Sequence, residues 1–257
     1  MAFEDLTDRT VLTTREYANP ERLNARVALY DYQYPPHDIA GAAVRLLHDA
    51  PGPVLDVGCG PGRYVAALRA DRPDRPVFAA DLSMGMLLAA GRPALVADAA
   101  ALPVRTGSLG AVLAMHMLYH VPEPEAALAE LARVRAPGGT VLIATNGRAD
   151  KVQVRALHAD VVRELTGTPV SRDVSRRFRL EEGERLVRRL FRSVERIDFR
   201  GTIVAPDPEP VLRWLGSMSG PDITPEVLDA VRDRIAAVIA REGAFRFGTH
   251  AGFLVCR

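Results

Sequence analysis

The sequence predicts an α/β protein built on a doubly wound, mostly parallel sheet. Short apolar runs alternate with helix-length segments from Val54 to about Thr145. Continuous apolar runs are typical of parallel strands that are buried on both faces. With 257 residues, the chain is long enough for one large α/β core with additions. The final segments are expected to form a strand, helices and a strand, so we expect the sheet to end with an antiparallel pair.

The elements of this core follow one another in a regular order. The expected strands are PVLDV, PVFAAD, ALVAD, LGAVLAMH and GGTVLIATN. The helical segments between them include YVAALRA, MGMLLAAG and PEAALAELARV. A strand, a helix and a second strand in this order form a βαβ unit, and repetition of the unit gives a doubly wound core.

Mostly helical segments flank the core. Residues 20–34 have the pattern of an amphipathic helix that Pro35-Pro36 ends, and a second helix is expected at 38–48. After the core we expect helices at 152–165, 180–191, 210–218 and 225–241, and strands at 194–204 and 245–255. We therefore predict a helical cap over residues 1–50 and a core over 51–150. Residues 151–257 would add cap helices and closing antiparallel strands to the same sheet.

Composition narrows the function classes. The 33 basic and 32 acidic residues give a net charge of +1, which offers little attraction for nucleic acids. No apolar run approaches the roughly 18 residues of a membrane span. The first residues, MAFEDLTDRT, carry acids where a signal peptide carries positive charge. We expect a cytoplasmic monomer or homodimer that binds neither membranes nor nucleic acids.

Single residue types add little chemistry. Lys151 is the only lysine in a chain rich in arginine and alanine, which we attribute to high-GC codon usage in a bacterium. Cys59 and Cys256 are far apart and are expected to be free thiols. No cluster of histidine, cysteine and aspartate has metal-ligand spacing, so no metal is expected.

A glycine-rich turn follows the first core strand. In LDVGCGPGRY, Gly58, Gly60 and Gly62 follow Asp56. A turn without Cβ atoms lets a ligand approach the backbone, whose free N–H groups can bind its polar groups. The dinucleotide fingerprint would need glycine at the position of Arg63. This difference makes a nicotinamide cofactor the less favoured ligand.

Carboxylates follow the next two expected strands. Asp81 ends the second strand, where a carboxylate can accept hydrogen bonds from both hydroxyls of a ribose. Asp98 ends the third, where it can accept from the exocyclic amine of adenine while the N–H of Ala99 donates to the ring. Because these strand ends meet at one edge of the sheet, the features together predict a nucleoside site.

Four segments together carry a specific resemblance: VLDVGCGPGRY, FAADLSMGML, VADAAALP and AVLAMHMLYHVPEPEAALAELARVRAPGGTVLIATN. They resemble, in order and spacing, the motifs of class I S-adenosylmethionine (SAM)-dependent methyltransferases. The resemblance covers roughly residues 53–146 and is closest to the small-molecule branch with the ubiquinone and menaquinone biosynthesis enzymes and bacterial natural-product methyltransferases. It implies a Rossmann-like, seven-stranded sheet with an antiparallel last strand and a helical cap. It also implies methyl transfer from SAM to O, N or C of a small metabolite, in bacterial secondary or cofactor metabolism.

The resemblance also implies which residues hold the cofactor. Gly58 and Gly60 would line its methionine and ribose portion, and Leu82 and Ala99 would flank the adenine. Met115 would touch the cofactor from the fourth strand. The full set of implied cofactor residues is Tyr17, Arg26, Asp56, Gly58, Gly60, Gly62, Asp81, Leu82, Asp98, Ala99 and Met115.

Candidate acceptor residues follow the fourth strand in MHMLYHVPE. Methyl transfer from a sulfonium depends mainly on positioning, and a base is needed only if the acceptor must lose its proton early. His116 is the first candidate for that base and His120 the second, with Tyr119 beside the acceptor. The alternative for each histidine is packing against the next helix.

Aromatic residues of the flanks are candidates for the acceptor wall. Tyr30 and Tyr34 precede Pro35, and Trp214 lies in the C-terminal region. The chain lacks the Asp-Pro-Pro-Tyr-like segment and the Pro-Cys nucleophile of nucleic-acid methyltransferases, which favours a small-molecule acceptor. Two alternatives stay open: a non-methylating reaction such as cyclisation or decarboxylation on the same fold, and a nicotinamide-binding oxidoreductase or a cofactor-free binding module.

Overall fold

A single eight-stranded sheet runs through the protein. The computed structural model describes residues 6–170, 173–218, 220 and 222–257. The strands are β1 (Gln33–Tyr34), β2 (Val54–Val57), β3 (Val77–Asp81), β4 (Ala94–Val96), β5 (Leu109–Met115), β6 (Arg135–Asn146), β7 (Val194–Ala205) and β8 (Phe245–Cys256). Their order across the sheet is β1-β7-β8-β6-β5-β2-β3-β4.

Helices cover both faces of this sheet and its carboxyl edge. They are α1 (Arg9–Val11), α2 (Glu21–Val27), α3 (Ile39–Leu47), α4 (Arg63–Asp71), α5 (Met84–Ala90), α6 (Pro124–Val134), α7 (Val152–Thr166), α8 (Leu180–Val187), α9 (Glu209–Gly216) and α10 (Pro225–Glu242). A π-helical turn, Leu12–Glu16, extends α1, and 3₁₀ turns lie at Ala28–Tyr32, Leu118–His120 and Val174–Arg177. None of the helices in the described part of the chain is long and apolar enough to cross a membrane.

The direction of the strands confirms the predicted fold class. Strands β2 to β6 pair in parallel with their neighbours, and β8 is antiparallel to both β6 and β7. The mostly parallel, doubly wound sheet and its antiparallel last strand are therefore as predicted. The closing strands β7 and β8 continue the same sheet, while the division at residues 50 and 150 stays a prediction.

The predicted number of seven strands is wrong because of a short strand near the N-terminus. Gln33 and Tyr34 pair with Ile203 and Thr202 of β7 and form an eighth, edge strand. The helix expected at 20–34 ends at Val27 and passes through a 3₁₀ turn. A residue that precedes proline is biased towards extended backbone, which suits Tyr34 before Pro35 to strand pairing.

Two apolar clusters hold the central strands from opposite faces. All of β2 is buried, and its residues alternate between the two clusters: Leu55 and Val57 join one, and Val54 joins the other. By the same alternation Asp56 points to the face of Val54. A third cluster, around Trp214 and Phe247, lies under the C-terminal cap helices. The carboxyl ends of β2, β3 and β5 are thus fixed at one edge.

Gly62 lies where the glycine turn enters α4. Its φ of 84° is in the left-handed region, and a Cβ atom there would come 2.7 Å from the Cα of Ala90 in α5. Gly167, at the end of α7, has a φ of 70°, and a Cβ atom added to it would have no other atom within 4 Å. Both glycines therefore need a positive φ, but only Gly62 lacks room for a Cβ atom.

We expect Gly62→Ala to lower the free energy of unfolding more than Gly167→Ala. Both variants place an L-residue in the left-handed region, which costs roughly 1–2 kcal/mol. Gly62→Ala adds an overlap with Ala90, and overpacking typically costs roughly 1–3 kcal/mol more. Urea unfolding of the two variants measures the difference, and equal losses would show that Gly62 is required only for its backbone conformation.

Candidate active site

One cavity of about 1250 Å³ lies at the carboxyl ends of β2, β3 and β5. Its volume exceeds the roughly 300–1,000 Å³ that is typical of a pocket for one small molecule. Residues of the glycine turn, the strand ends, the N-terminal segment and the C-terminal helices line it. The predicted site residues in this lining are Tyr17, Arg26, Tyr30, Gly58, Gly60, Asp81, Leu82, Asp98, Ala99, Met115, His116, Tyr119, His120 and Trp214.

Three predicted site residues lie outside this lining. Tyr34, predicted to contact the acceptor, is 74% exposed and does not line this cavity. Successive residues of a strand face opposite sides, and it is Gln33 that lines the cavity. Gly62 packs against α5 instead of reaching the cavity. Asp56 is buried beneath the glycine turn.

The glycine turn and Asp81 form one hydrogen-bonded unit. The N–H of Gly60 donates to one carboxylate oxygen of Asp81 at 2.9 Å, and the N–H of Ser83 donates to the other at 2.8 Å. Gly58 and Gly60 have φ values of 66° and 54°, and a Cβ on Gly58 would come 2.8 Å from the side chain of Met117. Burial raises the pKa of Asp81, and the backbone N–H groups partly offset this effect.

Asp56 is a buried carboxyl group without a partner. Its exposed fraction is 0%, and neither carboxylate oxygen has a hydrogen bond in the described part of the chain. Burial, and then the charge of Asp81, raises the pKa of Asp56 to about 8. Asp56 is therefore mostly protonated at neutral pH, and a cation bound at the turn would favour its ionised form.

Asp98 is covered by the N-terminal segment. Arg9 donates to one of its carboxylate oxygens at 2.9 Å, and the N–H of Ala100 donates to the other at the same distance. The pair remains partly open to solvent, with exposed side-chain fractions of 63% for Arg9 and 41% for Asp98. Arg9 was not predicted, because no pattern in the sequence links it to a strand end 89 residues away.

His120 holds this N-terminal segment in place. Its Nδ1 lies 3.0 Å from the carbonyl oxygen of Leu6, and its Nε2 lies 2.8 Å from the hydroxyl of Tyr17. Because a carbonyl only accepts, Nδ1 carries the hydrogen, and in the neutral ring Nε2 accepts from Tyr17. Burial lowers the pKa of His120 to about 4, so the ring is neutral. Both ring nitrogens already have partners, which favours a positioning role for His120 over its predicted role as a base.

Arg26 joins the two parts of the cap. Its guanidinium donates to Glu16 at 2.7 Å and to the Tyr17 hydroxyl at 3.2 Å. It also donates to the hydroxyl and the carbonyl of Ser217, beyond the end of α9, at 3.3 and 2.9 Å. The Tyr119 ring packs edge-on against His120, with centroids 4.7 Å apart. Contacts between distant parts of the chain therefore form this part of the cavity wall.

His116 directly follows β5 in a left-handed backbone conformation, with φ 57°. Such a conformation is unusual for a residue with a side chain and is found most often at functional sites. Neither ring nitrogen has a hydrogen-bond partner among the described residues. Burial, and then the charge of Lys151, lowers the pKa of His116 to about 4. The cavity thus contains a neutral imidazole with one nitrogen free to accept and one N–H free to donate.

Lys151 is buried and contacts both Tyr30 and Asp150. Its Nζ lies 2.6 Å from the Tyr30 hydroxyl and 2.9 and 3.1 Å from the two carboxylate oxygens of Asp150. The same Nζ lies 4.7 Å from the Tyr30 ring centre and 6.0 Å from that of Trp214. Lys151 lines the cavity. The sequence interpretation, which attributed this single lysine to codon usage, did not predict that position.

Residues 55–143 match the sequence profile of the methyltransferase domain family. This part of the chain is a methyltransferase domain. The resemblance found in the motifs is confirmed. SAM is accordingly the cofactor of this domain, and the family is one of enzymes. The match favours this interpretation over a nicotinamide-binding oxidoreductase.

Among the described residues, no group of three or more histidine, cysteine or acidic side chains is arranged to hold a metal ion.

Two curated relatives are also named as methyltransferases. The chain is 36% identical over 132 residues to a malonyl-[acyl-carrier protein] O-methyltransferase of Laribacter hongkongensis, which covers 45% of this chain and 44% of that protein. It is 34% identical over 142 residues to a ubiquinone biosynthesis O-methyltransferase of Xanthomonas oryzae pv. oryzae, with 51% of each chain covered. The chain thus spans about half the length of these relatives.

The fold is also similar to that of a solved structure from Anabaena variabilis. That protein is described as a methyltransferase from an antibiotic biosynthesis pathway. The two structures agree with a TM-score of 0.62 at 19% sequence identity, over 84% of this chain and 95% of the other. At this identity the likeness establishes the shared fold.

We expect acid to destabilise the protein partly through His120. An unfolded histidine gains its proton near pH 6.5, whereas folded His120 gains it only near pH 4. The unfolded state therefore binds more protons between these values, and the free energy of unfolding falls as the pH falls through this window. The Tm of the wild type should drop more from pH 7 to 5 than that of His120→Gln.

A matched variant separates this effect from general acid sensitivity. Leu88 is 79% exposed and carries no titratable group, so Leu88→Gln should keep the pH dependence of the wild type. Parallel losses of Tm in the wild type and His120→Gln would contradict the assignment of a neutral His120.

Proposed function

We propose that the protein transfers the methyl group of SAM to an oxygen atom of a small-molecule acceptor in this cavity. One observation carries the proposal: a single cavity contains the glycine turn and both strand-end carboxylates together with a free imidazole and a tyrosine that is hydrogen-bonded to a buried lysine. Its volume suits two ligands side by side. Both relatives described above are named as O-methyltransferases, which supports oxygen as the acceptor atom.

The residues around the glycine turn fit the proposed cofactor. SAM carries a sulfonium and an ammonium group, and the unpartnered carboxyl of Asp56 favours positive charge at this place. Asp81 would accept from the ribose hydroxyls, because each of its oxygens has a lone pair beyond the bond that it already accepts. Asp98 and Ala99 would bind the adenine, with Leu82 and Met115 beside it.

The acceptor would be surrounded by His116, Tyr30, Tyr119 and Trp214. The bound cofactor supplies an activated methyl group, so the chain's own task is to align the acceptor and exclude water. The neutral ring of His116 can hold or take the acceptor's proton. We further propose a cytoplasmic enzyme of bacterial secondary or cofactor metabolism, in line with the bacterial origin of the two relatives and the name of one of them.

Asp81→Asn should weaken binding of S-adenosylhomocysteine by on the order of 10- to 100-fold. The substitution removes a charged acceptor, and a hydrogen bond to a charged group contributes roughly 1.5–3 kcal/mol. Isothermal titration calorimetry measures the Kd. Asp160→Asn, on the solvent side of α7, is the matched control and should bind like the wild type. An unchanged Kd in Asp81→Asn would disprove the assignment of the ribose site.

Binding of S-adenosylhomocysteine at pH 7 should release about one proton, because the ligand's ammonium favours ionised Asp56. Affinity should accordingly rise with pH up to about 8. Calorimetry in buffers of different ionisation enthalpy measures the release. Asp56→Asn should abolish it, while Asp160→Asn should keep it. A wild type that releases no proton would show that the ligand's cation binds away from Asp56.

The methyl transfer itself has a direct test. Incubation with SAM and a cell extract should yield S-adenosylhomocysteine and a methylated product by mass spectrometry. Binding of SAM without formation of S-adenosylhomocysteine would favour the non-methylating alternative.

A further inference from the structure

The hydrogens of the Tyr30–Lys151 contact can be assigned from its chemistry. An ammonium group only donates, so the Tyr30 hydroxyl accepts from Lys151 across their 2.6 Å contact. Tyr30 therefore keeps its own hydrogen for another acceptor, and no described residue takes it. Burial raises the pKa of Tyr30, and the charge of Lys151 only partly offsets this, so the hydroxyl stays protonated. Tyr30 thus presents a donor, polarised by a cation, to the cavity.

A charge network fixes this donor in place. Asp150 accepts from Lys151, from Arg155 at 3.1 Å and from the N–H of His250 at 3.1 Å. Arg155 also pairs with Asp173 at 3.1 Å, and Asp173 with Arg179. Among the described residues of this network, three cations share two carboxylates.

Stability alone gives little reason for such a network. Lys151 is 4% exposed and Asp150 1%, and burial of an ion pair often stabilises a fold no better than apolar residues of similar size. Burial would lower the pKa of Lys151, but Asp150 and Tyr30 outweigh it and keep the ammonium charged. The network therefore provides a fixed positive charge behind the Tyr30 hydroxyl.

The two free groups of the cavity limit the acceptor. Tyr30 donates, and the neutral ring of His116 has one nitrogen that accepts and one N–H that donates. A hydroxyl oxygen suits this pair, since it can accept from Tyr30 and give its hydrogen to the accepting nitrogen of His116. A protonated amine would be repelled by Lys151. The two groups therefore favour a hydroxyl group over a protonated amine.

The low basicity of His116 narrows the class of acceptor further. With its pKa lowered to about 4, His116 cannot take the proton of an ordinary alcohol efficiently. A hydroxyl whose anion is delocalised and held by a polarised donor can still lose its proton. Trp214 and Tyr119 in the same lining offer aromatic surface to a planar molecule.

We propose that Tyr30, Lys151 and Asp150 form the acceptor subsite of the cavity, and that it takes a phenol or enol through its hydroxyl oxygen. This inference rests on the proposed function. Tyr30 touches the acceptor oxygen, and Lys151 acts through Tyr30 as a positioning residue. The hydroxyl proton passes to a ring nitrogen of His116. The oxygen lone pair forms the new bond to the methyl carbon, while the S–CH₃ bond breaks and leaves its electron pair on sulfur. The imidazolium then loses the proton to water.

Ionisation of a bound phenol tests this subsite without catalysis. The probe is 4-nitrophenol, whose phenolate form absorbs visible light and whose phenol form does not, added to protein saturated with S-adenosylhomocysteine. At a pH where free probe is mostly protonated, the wild type should raise the ratio of phenolate to phenol by roughly tenfold or more, as expected for an opposite charge nearby. Tyr30→Phe and Lys151→Met should each remove most of this increase.

Matched variants keep the result interpretable. Tyr34→Phe makes the same change on the exposed edge strand and should ionise the probe like the wild type. The affinity for S-adenosylhomocysteine shows that each variant is folded, and Tyr30→Phe leaves the Lys151–Asp150 pair intact. 4-Nitroanisole, which lacks the hydroxyl, should bind equally well to the wild type and Tyr30→Phe.

Failure of the proposed subsite and failure of the proposed function give different results. A wild type that binds S-adenosylhomocysteine but does not ionise 4-nitrophenol, or a Tyr30→Phe variant that ionises it fully, would overturn the subsite and leave the proposed function standing. A folded wild type that does not bind S-adenosylhomocysteine would overturn the proposed function itself.

Discussion

The carboxylate of Asp81 connects the parts of the molecule that make the cavity. It accepts from Gly60 in the turn after β2 and from Ser83 at the start of α5. The Ser83 hydroxyl in turn donates to the carbonyl of Tyr17 at 2.6 Å. Two strand ends, the first turn of a helix and the N-terminal cap are therefore held by one connected set of hydrogen bonds. The cavity keeps its shape because its walls share this set.

Sequence patterns predicted those parts of the fold that repeat locally. Buried parallel strands leave continuous apolar runs, and a turn with positive φ values selects glycines, so the core and Gly58, Gly60 and Asp81 were visible. The sequence did not predict β1, because two residues carry no periodicity, and the exposed position of Tyr34 depends on that strand. The contacts of Arg9 and Arg26 join residues 89 and 191 positions apart, and no local pattern records such pairs. The confirmed methyltransferase domain covers only the region with local signals.

The cavity separates charge in a way that suits the proposed reaction. Asp56 and Asp81 lie at the proposed cofactor end, and the network of Lys151 and Arg155 lies at the proposed acceptor end. In methyl transfer from a sulfonium to an oxyanion, opposite charges disappear together. A water-poor cavity favours such a step, because electrostatic attraction is stronger there than in bulk water. The apparently unfavourable burial of so many charged groups is consistent with this chemistry.

The contacts of Arg26 have a consequence for motion of the cavity wall. Arg26 bonds Glu16 and Tyr17 on one side and Ser217 on the other. The segment that carries Glu16, Tyr17 and Arg26 can therefore separate from the end of α9 only if the bonds to Ser217 break. Hydrogen exchange in this segment reports how often that local opening occurs.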